Sequence, residues 1–506
     1  MYVYKDYARA REGFLWGLDK WQVFALAALF FPALLCISFQ KWMAFLPVSL
    51  LAAVGGLLVV VPLGGRPAPA WIYATVMHYA ARLLKWSNFR SRAGACRTAT
   101  KGSEGKPDLP GVLQSSIVHD GPAQGGEMTR VALVQHRASR SWSVTAQIVH
   151  PGIGLQDEAT LAMYGDGLRQ LLEVARNTEI VSEVTFSVRT VPGDDAERRQ
   201  WVSRHQNEAA PDICRVVSDD LDRLLSTASV RTESYVTLTC PERKLAREAR
   251  TMGGGLRGRG KVLLAVMAEM EDKLQGAMGA ASVRWLSSPE LAVPTRTAFS
   301  PGDRGGIVDA QLAAHETPGV NAEVPWSNAG PLQADPRVRF YTHEAWASVS
   351  SLINLPARGV AMGDLAPVLI PSGNEERRSL AVTYPIVPER EARRHVSKSA
   401  HQSHMREVVR QQLKQDTRVS EFDRRSREEN LDAKVSRGAT MVTPYAVATA
   451  TVPRTAPVLE HGRRLDGSIR RSGFSPLRLD MSHDRAFVAS TVPLGITLTN
   501  GGKSHA

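Results

Sequence analysis

Cysteine is scarce in this chain of 506 residues, and it forms no recognisable disulfide or metal motif. Cys36 lies in an apolar run, while Cys96, Cys214 and Cys240 are scattered without C-x-x-C spacing. Neither a disulfide framework nor a zinc site is therefore indicated, and this cysteine usage fits a reducing compartment. The sequence also has no G-x-S-x-G and no H-E-x-x-H motif, so two common hydrolase signatures are missing.

Acidic residues are fewer than basic ones. The chain has 62 Lys and Arg against 50 Asp and Glu, which gives a formal net charge of +12 and a pI near 9.7. A basic protein suits an anionic surface, either lipid headgroups or nucleic acid, but the charge alone names neither. Hydrophobic residues make up 43% of the chain, which is enough for a packed core.

Charge is absent from two long runs near the N-terminus. Trp21–Gln40 and Trp42–Gly65 contain no charged residue, and Lys41 alone separates them. A helix of roughly 20 apolar residues crosses the hydrocarbon of a bilayer. The two runs therefore predict a two-helix transmembrane hairpin, and the alternative is a buried core hairpin.

Basic residues flank both ends of this predicted hairpin. They are Lys5, Arg9, Arg11 and Lys20 ahead of it, and Arg66, Arg82, Lys85, Arg90, Arg92 and Arg97 behind it. The positive-inside bias predicts a multi-pass protein of the inner (plasma) membrane. Both termini would be cytoplasmic, and the Gln40–Lys41 turn would lie outside.

Strand-like and helix-like patterns alternate from Val131 to about Leu494. This alternation predicts a mixed α/β (α+β) soluble domain behind the transmembrane hairpin. The predicted organisation is a membrane anchor at 1–92, a flexible linker at 93–128, an α/β subdomain at 129–298, a long loop at 299–336, a second α/β subdomain at 337–497 and a tail at 498–506. No internal repeat of a fixed short period is seen.

One segment of the second subdomain is strongly charged. Pro388–Lys434 contains no Gly or Pro after Pro388, and its apolar stripe is limited to Met405, Val409 and Leu413. The pattern predicts a solvated helix or helical pair with i,i+4 ion pairs. Because the stripe is narrow for a helix buried in its own domain, it is the predicted contact for a partner protein.

Three histidines in the same segment could in principle hold a metal ion. His395, His401 and His404 lie within one helical span, and His401, His404 and Glu407 share a face at three-residue spacing. No stronger signature frames them, so we interpret them as surface residues and predict no metal site.

The chain contains one sequence that resembles a phosphate loop. Gly255, Gly260 and Lys261 satisfy G-x-x-x-x-G-K. However, Val262 stands where a Ser or Thr would ligate magnesium, and the preceding segment is helix-like rather than a strand. Gly260 and Lys261 could still hold an anion at a helix N-terminus; the alternative is a glycine turn between two helices. We therefore predict no catalytic residue and no cofactor, and we expect the protein not to be an enzyme.

Two other groups of charged residues have simple interpretations. Asp157 and Glu158 are adjacent carboxylates that mark a helix start. The segment Gly253–Gly260 and the basic residues Arg463, Arg464, Arg470 and Arg471 could touch a phosphate backbone, but such patches carry no specificity.

Three further features resemble a known family. They are Arg378-Ser379-Leu380-Ala381-Val382-Thr383-Tyr384 followed by Pro388 and the charged segment; the Gly253-Gly254-Gly255 turn before an apolar helix; and Leu477-Arg478-Leu479 followed by Phe487 and Thr491-Val492-Pro493-Leu494-Gly495. Together with the N-terminal hairpin they resemble actinobacterial conjugative-element proteins. The soluble part of those proteins is similar to the N-terminal half of the large type IV secretion ATPase.

The resemblance implies architecture and pathway but not ATP hydrolysis, because a P-loop motor domain needs on the order of 200 further residues of doubly wound sheet. It implies a structural or assembly component of a conjugative type IV secretion (DNA transfer) apparatus. The implied partners are other secretion components, including a separate ATPase or coupling protein, and the membrane; nucleic-acid contact and oligomer formation stay open. The alternatives are a type VII secretion membrane component, a degenerate nucleotide-binding protein that uses Lys261, and a membrane-bound DNA-binding module.

Overall fold

The computed structural model describes most of the chain. The described residues are 3–4, 20–60, 62–63, 66–84, 87–95, 106–124, 129–152, 156–192, 201–202, 205, 207, 210–228, 230–317, 319, 321–354, 360–361, 363–373, 375–388, 391 and 440–499. They fall into two compact units, the described residues of 9–87 and those of 1–8 with 88–502.

The helices are, in chain order, α1 (Lys20–Ser38), α2 (Trp42–Val60), α3 (Ala68–Leu83), α4 (Glu158–Asn177), α5 (Asp212–Ala228), α6 (Glu242–Thr251), α7 (Gly255–Gly276), α8 (Ser288–Phe299), α9 (Arg304–Glu316), α10 (Val458–Arg471) and α11 (His483–Thr491). Short 3-10 turns occur at Gly111–Leu113, Pro301–Asp303 and Ala366–Leu369.

The strands are β1 (Val3–Tyr4), β2 (Pro62–Leu63), β3 (Arg66–Pro67), β4 (Phe89–Arg90), β5 (Ser116–Gln124), β6 (Thr129–His136), β7 (Ser141–Val149), β8 (Glu183–Pro192), β9 (Val230–Pro241), β10 (Ser282–Trp285), β11 (Gln333–Pro336), β12 (Tyr341–His343), β13 (Trp346–Asn354), β14 (Val360–Ala361), β15 (Arg377–Pro385), β16 (Tyr445–Pro453) and β17 (Ser475–Arg478).

In the smaller unit, α1 and α2 pack closely against each other. The side-chain amide of Gln22 donates a hydrogen bond to the Val59 carbonyl (2.9 Å). A Cβ at Gly55 would lie 2.7 Å from the Leu29 side chain, so the helices approach each other at a residue without a side chain. Their outer faces are apolar, with Phe24 75% and Met43 95% exposed. Large exposed apolar patches mark surfaces that contact other molecules.

The predicted membrane anchor is not upheld. Each of the two helices has 19 residues, about 28 Å at a rise of ~1.5 Å per residue, against about 30 Å of hydrocarbon. The second apolar run leaves the helix after Val60, where Pro62–Leu63 pairs with Arg66–Pro67. Across the described residues, no helix combines the length and the apolarity that spanning a membrane requires. The transmembrane hairpin and the multi-pass membrane localisation are therefore corrected.

The larger unit confirms the mixed α/β class and is organised on one antiparallel sheet of 13 strands. The sheet runs in the order β4-β11-β12-β13-β16-β15-β8-β9-β7-β6-β5, while β10 pairs with β7 and β17 pairs with β13. The two predicted α/β subdomains thus share one continuous sheet, in which the strands of each subdomain form one half.

This strand order is symmetrical about the β8–β15 pair. From that pair outwards, one half reads β8-β9-β7-β6-β5 and the other reads β15-β16-β13-β12-β11. In each half, the fourth, first, third and second strands lie side by side, as β10-β7-β9-β8 and β17-β13-β16-β15. The first half is a β-α-β-β-α-β unit with the split β-α-β arrangement of ferredoxin-like folds, and in the second half the described residues have a 3-10 turn in place of the first helix. The chain therefore contains a structural duplication whose copies lie about 200 residues apart, as the strand bounds show.

The two faces of the sheet differ in polarity. Val144, Val184 and Leu238 point to the face covered by α4 and α7, and Leu380 continues this apolar face to α10 in the other half. The opposite face carries hydroxyl side chains and is covered by α11 and by residues 492–499, which we call the C-terminal segment. Ser143 and Thr145 donate hydrogen bonds to the carbonyls of that segment, at 2.6 and 2.8 Å.

Several local predictions are confirmed. Val131–Gln135 and Trp142–Val149 form the hairpin β6–β7, and Asp157 caps α4 by accepting a hydrogen bond from the Thr160 amide. The predicted linker and long loop contain regular structure, namely β5 in the first and α9 with β11 in the second. Pro388–Lys434 lies largely outside the described residues, so its predicted helix and the stripe at Met405, Val409 and Leu413 stay predictions.

Each half buries a histidine at the end of the equivalent strand. The His136 ring donates from Nε2 to the Leu494 carbonyl (2.6 Å) and lies 3.3 Å from the Ser143 hydroxyl. The His343 ring donates from Nδ1 to the Phe299 carbonyl (2.5 Å) and accepts at Nε2 from the Ser348 hydroxyl (2.8 Å). Burial lowers the pKa of each histidine to about 4.

These histidines predict that stability falls in mild acid. The unfolded chain takes up a proton at each histidine below its ordinary pKa of about 6.5, whereas the folded chain does so only near 4. Stability from the neutral rings is complete above pH 6.5 and is lost as the pH falls towards 4. We expect each histidine to contribute a loss of about 2 kcal/mol between pH 7.5 and pH 5.

The measurement is the free energy of unfolding in urea at the two pH values, for the wild type and for His343→Gln. The variant should be less stable at pH 7.5 but should lose less stability on acidification. Burial raises the pKa of Glu183 and of Asp484, so these two carboxyl groups make the folded state more stable as the pH falls. This contribution is the same in the wild type and the variant and therefore cancels in the comparison. If the wild type and the variant lose equal unfolding free energy between the two pH values, the prediction that the neutral His343 ring stabilises the folded state is contradicted.

Candidate functional site

The phosphate-loop-like sequence lies inside helix α7 rather than in a loop after a strand. Gly255 is the first residue of the helix, and Gly260 and Lys261 lie in its second turn. The turn before it connects α6 to α7 and consists of Gly253, Gly254 and Gly255, whose φ angles of 99°, 67° and 59° favour glycine. The turn between the two helices is therefore limited to Gly253–Gly255, and the rest of the phosphate-loop-like sequence is helical.

The other two glycines of the phosphate-loop-like sequence allow α7 to pack closely against its neighbours. A Cβ at Gly258 would lie 2.5 Å from the Ala249 carbonyl oxygen on α6, and a Cβ at Gly260 would lie 2.5 Å from Pro122 on β5. Lys261 is exposed. The structure thus does not bring Gly255, Gly260 and Lys261 together around one anion-sized space.

The remaining candidates from the sequence lie in separate parts of the structure. Asp157 accepts a hydrogen bond from the Thr160 amide at the N-terminus of α4, which lowers the pKa of the Asp157 carboxyl group, and Glu158 begins the helix. Arg463, Arg464, Arg470 and Arg471 are exposed along α10, where Arg464 pairs with Glu460. His395, His401, His404 and Glu407 lie outside the described residues.

The feature that the sequence analysis overlooked is an uncovered apolar face on α5. This helix lies in the connection between β8 and β9, and among the described elements none packs extensively against it. Its apolar side chains are between 48% and 69% exposed: Ile213, Val216, Val217, Leu221 and Leu224. Their spacing of three, four and seven residues, visible in the sequence, is the signal that could have identified the face.

Polar residues complete the helix on its other side. Asp219 is exposed opposite the apolar face, and Arg215 pairs with Asp212 one turn earlier at 3.7 Å. Cys214 is an exposed free thiol beside the apolar face. An amphipathic helix with this distribution can bind a partner by burying apolar area, and it carries no chemistry of its own.

No protein-family model matches the chain, and no curated protein matches it either.

Substitutions in α7 test whether its glycines pack or bind nucleotide. Gly260→Ala should lower the free energy of unfolding by about 1–3 kcal/mol, because the new methyl group would overlap Pro122. Lys261→Ala, at an exposed position, should change it by no more than about 0.5 kcal/mol. Urea denaturation of the full chain measures both.

An ATPase assay provides the complementary result. We expect no ATP hydrolysis by the wild type above the Lys261→Ala variant. Magnesium-dependent turnover that disappears in Lys261→Ala would contradict this and would support a nucleotide site.

Proposed function

We propose that the protein is an assembly component of a conjugative type IV secretion apparatus and acts by holding a partner protein, not by hydrolysing nucleotide. The observation that carries the proposal is the exposed apolar face of α5, against which no described element packs extensively. The partner would be another component of the same apparatus, either a separate ATPase or a coupling protein.

The energetics of α5 favour a bound partner. The helix has 17 residues, and isolated helices of similar length are marginal in water. Burying an aliphatic side chain stabilises by about 1.5–3 kcal/mol. Covering Val217, Leu221 and Leu224 would therefore supply several kcal/mol, enough to offset part of the entropy that association costs.

The pathway assignment is supported by the sequence resemblance. The segment Arg378–Tyr384 that carries it forms most of β15, at the centre of the sheet, and Thr491–Gly495 closes over the hydroxyl-lined face. The Gly253–Gly255 turn that also carries it has a structural role in starting α7. Each of these is a feature of architecture, which is what an assembly component would share with a motor protein.

Replacement of the apolar face tests the proposal directly. Val217→Lys together with Leu221→Lys should abolish co-purification of the ATPase or coupling protein and should lower conjugative transfer by at least tenfold, because charges would be buried in the interface. Lysine has a high helix propensity, so α5 itself should persist. The matched control is Asp219→Lys, which changes the net charge equally on the opposite side of the helix and should leave both readouts unchanged.

Labelling of Cys214 provides a second measurement in the full chain. Its reaction with a maleimide, resolved from the other cysteines by mass spectrometry, should slow when the partner is bound and should not slow in the double variant. The proposal is contradicted if the double variant is normally abundant and still supports transfer and co-purification.

A further inference from the structure

A strongly basic surface lies where α6 and α7 meet. Residues 242–261 contain five arginines, two lysines and two glutamates, so this segment carries a net charge of +5 out of the chain's +12. The turn between β6 and β7 lies beside it, because the Arg140 carbonyl accepts a hydrogen bond from the Glu242 amide at the start of α6 (2.8 Å). Six residues form what we call the basic surface: Arg137, Arg140, Arg243, Arg250, Arg257 and Lys261.

The positive charge of the basic surface is not neutralised by neighbouring carboxylates. Each of the six side chains is exposed, and none forms an ion pair within the part of the chain that the structure describes. The two acidic residues of the segment are directed to other cations. Glu248 pairs with Arg247 (3.2 Å), and the Glu242 carboxylate lies 3.7 Å from the Arg259 guanidinium. The surface is therefore open to an anionic partner.

The two helices hold these cations on their outer faces. Arg243 and Arg250 are seven residues apart, so they lie on the same face of α6, roughly 10 Å apart along its axis. Arg257 and Lys261 are about one turn apart on one face of α7. The inner face of α6 packs into the core, where Leu245 is fully buried. The backbone that carries the cations is thus fixed by the packing of the domain.

The charge at the start of α7 opposes the stability of the helix itself. Its first turn has no acidic residue and no side-chain cap, while Arg257 and Lys261 lie in its first two turns. Cations are unfavourable there, because the N-terminal end of a helix carries partial positive charge. By contrast, α4 begins with Asp157 as its cap, and α8 begins with a capping box of Ser287 and Glu290. A local pattern that opposes stability is expected where residues serve binding.

The equivalent helix of the second half is also basic. α10 lies between β16 and β17, as α6 and α7 lie between β9 and β10. Arg463 and Arg470 of α10 are exposed, are seven residues apart and form no ion pair within the described residues. Both halves of the fold therefore present unpaired arginines from the helical connection in the same topological place.

The composition of the basic surface fits a duplex nucleic acid better than a membrane or a single strand. A helix that binds a lipid surface inserts an apolar face, yet among the large apolar side chains of residues 242–261, all of them described, only Met252 and Leu256 at the turn are exposed. Proteins that bind single strands stack bases on aromatic side chains, and residues 242–261 contain none. A duplex requires neither feature, because it presents a dense and regular array of phosphates.

We propose that the basic surface binds the phosphate backbone of a duplex nucleic acid without reading its sequence. Arginine presents paired N–H donors that match phosphate oxygens, and each neutralised phosphate releases condensed counterions. At Gly253, Gly254 and Gly255 an added Cβ would meet nothing within 4 Å, so the turn lets the duplex approach the backbone closely. This contact lies on α6 and α7 and does not depend on the partner proposed for α5.

Salt-dependent binding of a short DNA duplex to the full chain tests the proposal. The affinity of the wild type should fall steeply with salt, with a slope of about −0.9 per phosphate contact in a double-logarithmic plot. Arg250→Gln together with Arg257→Gln should make this slope shallower by about 2 and weaken binding about tenfold or more at about 0.1 M salt. The matched control is Arg169→Gln together with Lys273→Gln, which removes equal charge from α4 and from the last turn of α7 and should bind as the wild type does.

A second pair of substitutions guards against misfolding. If the first variant does not fold, Arg243→Gln together with Lys261→Gln, at two other exposed positions of the basic surface, should give the same change. Competition for the labelled duplex, at equal phosphate concentration, uses a single strand of the same sequence and vesicles that contain phosphatidylserine; neither should displace the duplex. The proposal is overturned if the duplex does not bind, if the control variant loses as much affinity as the variants of the basic surface, or if the single strand or the vesicles displace the duplex.

Discussion

The antiparallel pairing of β8 with β15 is the interaction on which the architecture depends. It extends from Thr190 opposite Arg378 to Glu183 opposite Pro385. Each strand is the last of its own half, so without this pairing both halves would expose a row of unpaired backbone groups. The pairing joins two four-stranded units into one sheet and brings their helix-covered faces into one apolar layer.

The same pairing creates an unusual polar layer on the other side. Hydroxyl side chains line that face in both halves, and they are satisfied by each other, by the two buried histidines and by the carbonyls of the C-terminal segment. Gly495 has a φ of +82°, and a Cβ there would lie 2.4 Å from Ser143, so the segment can lie flat on the sheet only with glycine at this position. Because buried polar groups are costly when unpaired, this network fixes one arrangement of the segment.

The two halves of the sheet differ in two places. The connection between β8 and β9 contains α5, whose apolar face has no cover among the described elements. The place equivalent to Glu183 carries Arg377, which lines a cleft together with Arg189 and Arg378.

Local structure was largely determined by the sequence itself. Alternation predicted the β6–β7 hairpin, and Asp157 predicted the start of α4. These predictions succeed because periodicity, capping and turn geometry act over a few residues. The lengths of the N-terminal helices and the content of the supposed linker and loop were not predicted, because element boundaries depend on packing partners.

Only the tertiary structure decided which distant residues meet. The duplication is hidden because the two halves share strand order and register, not a short repeat, and the first half crosses over with α4 where the described part of the second has a 3-10 turn. Arg189, Arg304 and Arg377 converge from separate elements, and Gly260 acquires its role only because β5 lies against it. Strand pairing is set by long-range burial and hydrogen bonding, and a residue's own neighbours in the chain do not specify it.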